Sequence, residues 1–157
     1  MFDKTVTVFN YYESPTARLW YPHVLFGVHL ETDRAQIIRK YGPESKDNAV
    51  LHIPLMNEDG ERKILDFSAE LTLWKPPKEW RKLSSDEMET CITFNPEKDF
   101  FYWGEWMEGV VNDDQYANPR GDGDFYSYMN GNKDFVYKIT SVEGPYNLIP
   151  HFEVMGA

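Results

Sequence analysis

Hydrophobic and polar residues alternate most clearly near the end of the chain. Asp134 to Val142 reads DFVYKITSV and Tyr146 to Met155 reads YNLIPHFEVM. Phe135, Tyr137 and Ile139 alternate with Val136, Lys138 and Thr140; Leu148, Pro150, Phe152 and Val154 alternate with Ile149, His151 and Glu153. A period of two in residues that are β-branched or aromatic is a strand signature. Glu143-Gly144-Pro145 supplies turn residues, so an antiparallel hairpin is predicted, Asp134–Val142 against Leu148–Met155. Pro150 lacks a ladder donor, which puts that part of the second strand at an edge or a bulge.

The same period, interrupted by turn signals, recurs upstream. Thr5–Tyr12 reads as a strand, as do Arg18–Tyr21 and Val24–Leu30, with a break at Pro22. Gly27 inside VLFGVHL predicts a bulge or sharp bend, the way barrels turn corners. Asn48–Leu55, Ile64–Phe67, Glu70–Trp74, Cys91–Phe94 and Asp99–Trp106 are further strands. Asp59-Gly60 suits a hairpin and Asn95–Lys98 a turn. Helix is confined to short pieces near Asp33–Tyr41, Lys78–Asp86 and Asp124–Met129. The first has Asp33 as its cap, Gln36 three residues on, and a Gly42-Pro43 stop. The expected fold is all-β and mainly antiparallel: a small β-barrel or strongly bent sheet with a few short helices and one long acidic loop. The expected core includes Val6, Val8, Leu25, Val28, Val50, Ile53, Ile139, Phe152 and Val154.

Composition narrows the class. At 157 residues the chain can hold one domain with a real core, and no shift in composition suggests a boundary. Aromatics form 16% of it, suited to pleated, half-buried surfaces. With 26 acidic against 16 basic residues, the net charge is −10. Phosphate-directed nucleic-acid binding and anionic membrane surfaces are therefore not expected. No apolar run approaches the ~20 residues that span a bilayer. MFDKTVTVFN does not read as a signal peptide. The single cysteine, Cys91, excludes an intrachain disulfide and reads as a small buried hydrophobe in a reducing cytosol.

Candidate chemistry is sparse. Asn112–Asp124, NDDQYANPRGDGD, is too polar to form core and is expected to be an exposed loop. Its carboxylates, Asp113, Asp114, Asp122 and Asp124, are the material of a weak calcium site, but the EF-hand pattern fails, and an acidic solvated loop is the simpler reading. Arg120-Gly121-Asp122 has no adhesion context. His23, His29, His52 and His151 lie in separate strand segments, none with a second ligand at HExxH or CxxC spacing. Neighbouring barrel strands could bring two of them together; ordinary partly buried histidines remain the plainer expectation. Glu105 and Glu108 beside Trp103 and Trp106 invite a glycosidase reading, but an i, i+3 spacing on a strand points them to opposite faces. Trp74 and Trp80 flank Pro76-Pro77, as at a rigid corner. GxSxG, GxGxxG and P-loop patterns are absent, so no catalytic residue, cofactor site or metal ligand is expected.

Several stretches, taken in order, carry a resemblance. Trp20-Tyr21-Pro22-His23-Val24-Leu25-Phe26-Gly27-Val28 resembles the opening of small structural proteins of phages and prophages of Gram-positive bacteria. Gly42 followed by Asp47–Pro54 is similar to their glycine and then a strand ending Ile-Pro. Lys75–Trp80, Thr93 and Tyr102–Glu105 resemble their central segment. Tyr137–Val142 and His151–Gly156 resemble their closing hairpin. The resemblance implies a non-enzymatic virion component of the neck, such as a head-closure (stopper) or head–tail joining protein, or a minor capsid protein. Its implied partners are other connector and tail-joining subunits, within a homo-oligomeric ring. The implied location is the bacterial host cytoplasm during assembly, then the virion. On that reading Asp113, Asp114, Asp122 and Asp124 face a partner or the channel. A different class, a β-barrel that binds or hydrolyses carbohydrate through Trp74, Trp80, Trp103 and Trp106, lacks a credible carboxylate pair on one face.

Overall fold

The computed structural model describes residues 3–65, 71–117, 123–146 and 148–157. Its centre is a closed barrel of six antiparallel strands. These are β1 (Lys4–Glu13), β2 (Arg18–Glu31), β3 (Ala49–Glu58), β7 (Phe100–Trp103), β9 (Val136–Tyr146) and β10 (His151–Gly156). Around the barrel the order is β1-β2-β3-β10-β9-β7 and back to β1. Closure leaves none of the six as a free edge along its whole length.

Gly27 is the device that closes it. Lys4 pairs with Val28 and Thr5 with Phe26, so Gly27 is the extra residue of a bulge, at φ +72°. Glycine takes that conformation without a Cβ penalty. Beyond the bulge, β2 leaves β1, and His29–Glu31 pair with β3. The expected break at Pro22 is not found: β2 runs through it, opposite Phe9. Between Tyr21 and Val28 β2 has β1 as its one neighbour, so the missing proline donor faces no second ladder.

β3 outgrows the barrel. After Pro54 its Leu55–Glu58 segment turns to β4 (Glu61–Leu65) through the two-residue turn Asp59-Gly60, where both φ angles are positive. β5 (Leu71–Trp74) continues this side sheet, and the short β6 (Cys91–Ile92) adds to it in parallel. Between them lie α2 (Pro77–Trp80) and α3 (Ser85–Thr90); Ser84 and Glu87 cap α3 reciprocally. The side sheet closes on the barrel core, with the Trp74 and Phe152 rings 5.0 Å apart.

All nine residues expected in the core are buried, none more than 1% exposed. Val6, Val8, Leu25, Val28, Ile53, Ile139, Phe152 and Val154 fill the interior. Val50 points outward instead, under α1 (Arg34–Tyr41), with Ile37 and Met155. Asp33 caps α1 by accepting from the Ala35 and Gln36 amides, and Gly42 follows at φ +103°. A second layer covers the opposite face. There α4 (Phe125–Asn132) lays Phe125 and Met129 over Phe9, Trp20, Phe100 and Tyr102. This explains the weak alternation of β1: Val6 to Asn10 are all buried, because both faces of the strand are covered.

The final hairpin is antiparallel as expected, but its turn lies further on. β9 continues through Gly144 and Pro145 to Tyr146, which pairs with His151, while Glu143 pairs with Glu153. The Gly144-Pro145 peptide, which is cis, is thus absorbed in a bulge, and the described turn residues are 148–150, beyond Tyr146. The strands expected over Cys91–Phe94 and Asp99–Trp106 are trimmed to β6 and β7.

Candidate functional site

The polar loop is less exposed than its composition suggests. Val111–Asn112 form β8 against Leu19 and Trp20, and Asp113–Tyr116 a 3-10 turn. Asp113 is 3% exposed, so it faces neither solvent nor a channel. Its Oδ1 accepts from Trp20 Nε1 at 2.8 Å and from the Phe125 amide at 3.0 Å, tying α4 to β2. The expectation of a surface role for Asp113 is corrected by these two bonds. Asp114 is at the surface and pairs with Arg18. Asp124 caps α4 through the Ser127 amide. Asp122 lies outside the described residues.

The tryptophans do not converge. Trp80 is buried beside Tyr21, and its Nε1 donates to the Cys91 carbonyl at 2.7 Å. Trp74 packs on the barrel core and Trp106 on the α4 layer. Trp103 packs at the surface against the tilted ring of Phe135, under the Lys4 ammonium. Surface clefts run from about 180 Å³, lined by Tyr11, Glu13, Arg81, Asn95 and Lys98, to about 340 Å³, between Glu13–Arg18 and Asp114. Ligand pockets typically span ~300–1,000 Å³.

Two further polar centres are buried, of which Asp99 was not foreseen. Asp99 is 1% exposed, and its carboxylate accepts from the Tyr11 amide, Asn10 Nδ2 and the Asn95 amide, each at 2.9 Å. Burial pushes its carboxyl up to about 7, against those three hydrogen bonds. His23 lies in the barrel wall opposite Val8, and burial lowers it to about 3.

The third polar centre brings together residues far apart in the sequence. On the outer face of β2, β3 and β10, His29 pairs across the ladder with His52, and His52 with Glu153. The two imidazole rings are 5.2 Å apart. Glu31, two residues beyond His29, shares its face. The donor atoms of His29, Glu31 and His52 all lie within 4.8 Å of one another. His52 Nε2 is 3.8 Å from Glu31 Oε2, and its Nδ1 is 3.6 Å from Glu153 Oε1. Helix α1 supplies the rest: Tyr41 donates to Glu153 Oε2 at 2.7 Å and Lys40 to Oε1 at 3.1 Å. His151 Nε2 is 3.6 Å from the same Oε1. Burial, followed by the nearby Lys40 charge, holds His52 below the ordinary imidazole range. Burial tends to raise Glu153, but the Tyr41 and Lys40 hydrogen bonds outweigh it and its carboxyl lies below the usual range.

The i, i+2 spacing of His29 and Glu31 was readable in the sequence as one strand face. Their meeting with His52 depends on the β2–β3 register beyond the Gly27 bulge, which no local pattern fixes.

The chain matches, over residues 1–157, a family of unknown function (DUF6751), and it belongs to that family. No curated protein and no solved structure matches it. Among the described residues no helix is long and apolar enough to cross a membrane.

Proposed function

We propose that this protein is a non-enzymatic structural subunit of a phage or prophage particle, acting in the neck where head joins tail. In this role it assembles as a ring of identical subunits between connector and tail-joining proteins. The observation that carries the reading is a closed, side-chain-filled barrel whose last hairpin projects an apolar tip. Leu148 is 96% exposed and Ile149 74%, just past the strand end at Tyr146. Two neighbouring aliphatic side chains in water are unfavourable in a lone subunit and suit a contact with the next one. A heterologous contact of this kind closes into a ring when the rotation allows. The net charge of −10 suits a channel wall past which duplex DNA slides without adhering. Asp114 and Asp124 are the carboxylates offered to that channel or to a partner.

The test is prophage induction in the source strain, purification of DNA-filled tailed particles and quantitative mass spectrometry. The protein is expected in them at a fixed ring copy number, and deletion of its gene is expected to yield tailless or emptied heads. Its absence from purified particles, or normal particles without the gene, overturns the reading. Leu148→Ser with Ile149→Ser is expected to leave the isolated subunit folded and to prevent assembly.

A further inference from the structure

We propose that His29, Glu31 and His52 form a binding site for a transition-metal dication, zinc in the first place. The site does not depend on the neck reading and adds an activity to it. Two imidazoles and one carboxylate are the nitrogen and oxygen donors that zinc takes, and three protein ligands leave a fourth position for water or a neighbouring subunit. This donor set distinguishes the site from an acidic patch, which would select hard cations such as calcium or magnesium.

Three features of the geometry converge on it. The ligands sit on adjacent barrel strands held in register, His29 opposite His52, so their backbones are fixed before any ion arrives. Their donor atoms lie within 4.8 Å of one another, whereas ligands around zinc at ~2.0–2.1 Å are separated by about 3.4 Å. Side-chain rotation closes that difference, because all three residues are partly exposed. Finally, a carboxylate stands behind His52, just beyond hydrogen-bond distance, where metal-bound histidines carry their outer support. His52 Nε2 is turned toward Glu31, while its Nδ1 faces Glu153 at 3.6 Å. Glu153 is in turn fixed by Tyr41 and Lys40. A carboxylate behind a ligating imidazole sets the tautomer and raises the basicity of the donor nitrogen. Lys40 keeps its place, because Glu153 is a support here and not a ligand.

The experiment uses the full chain, stripped with a chelator and titrated with zinc by calorimetry and with cobalt(II) by visible absorption. One zinc per chain, a raised melting temperature and the intense cobalt bands of a four-coordinate site are expected. His29→Ala and Glu31→Gln are each expected to weaken zinc binding more than tenfold, with unchanged circular dichroism. Glu153→Gln is expected to weaken it about 10- to 100-fold while keeping the cobalt spectrum, as a supporting residue should. His151→Ala is expected to bind as the parent does. No saturable binding, or equal binding by the parent, His29→Ala and Glu31→Gln, overturns the proposal. Should His29→Ala fail to fold, Glu31→Gln decides alone, being a change of one heavy atom in a partly exposed side chain.

Discussion

The barrel has two outward faces, each roofed by an eight-residue helix, and they are built on opposite principles. Under α4 the roof is apolar: Phe9, Trp20, Phe100, Tyr102, Val111, Phe125, Met129 and Val136 are buried together. Under α1 the buried apolar residues are Ile37, Val50 and Met155, and beside them stand the buried Glu153 and the less buried His29, Glu31, His52, Lys40 and Tyr41. Each helix is also tied down by a buried carboxylate. Asp113 holds the start of α4 through two neutral N–H donors, and Glu153 holds the end of α1 through an ammonium and a phenol. Apolar burial is non-directional and stabilises the fold by area alone. A half-buried ionisable cluster contributes far less net stability, since each group gives up water to be there. One face is thus explained by folding. The other asks for a second reason, and a bound cation supplies one.

The comparison fails first if α4 can be loosened cheaply. Phe125 is fully buried and touches the rings of Phe9, Trp20, Phe100, Trp106 and Tyr116. Phe125→Ala is expected to cost about 3–5 kcal/mol in denaturant-melt stability. A cost below about 1 kcal/mol would mean that the aromatic layer is not a second core.

How much of this was legible follows the same division. The barrel interior was read correctly because inward positions such as Val6, Val8, Phe152 and Val154 obey the period of two. The Gly27 bulge, the Asp59-Gly60 turn and the Asp33 cap were legible because each has its own local chemistry. The aromatic layer was not. Phe9 and Phe100 alternate out of phase with the interior, and their burial depends on a helix from over a hundred residues beyond Phe9. Asp113 was misjudged since composition cannot show that one carboxylate in a polar run turns inward to Trp20. The histidine cluster needed the β2–β3 register, a tertiary fact.

A second contrast concerns buried carboxylates with and without a cation. Asp99, at the margin of the apolar layer, has three N–H donors and no ammonium, and burial pushes it up to about 7; Glu153, with Lys40, goes the other way. The unfolded chain releases the Asp99 proton near 3.8, and the folded chain keeps it until about 7. Between those values the folded state binds more protons, so stability falls as pH rises. The contribution is fully present below about 4 and gone above 7. Measured as the stability of the parent minus that of Asp99→Asn, it is expected to decline by up to about 1.4 kcal/mol per pH unit in that window and then level off. A pH-independent difference would show that the three hydrogen bonds keep Asp99 ionised throughout.

The smallest expected effect probes the polar roof itself. Tyr41→Phe keeps the ring against Ile37, Val50 and Met155 and removes only the hydroxyl that donates to Glu153. Lys40 remains on the other oxygen, so Glu153 is not stranded. A single hydrogen bond lost under those conditions is worth about 1 kcal/mol, well under the cost at Phe125. Unfolding of the metal-stripped chain is the right measurement, because a bound ion would add its own stabilisation to both proteins. If the loss instead rivals that of Phe125→Ala, the hydroxyl is the bond that docks α1, and the polar face is as structural as the apolar one. A loss near 1 kcal/mol leaves the two faces distinct: one that folds the barrel, and one that the barrel holds ready for something else.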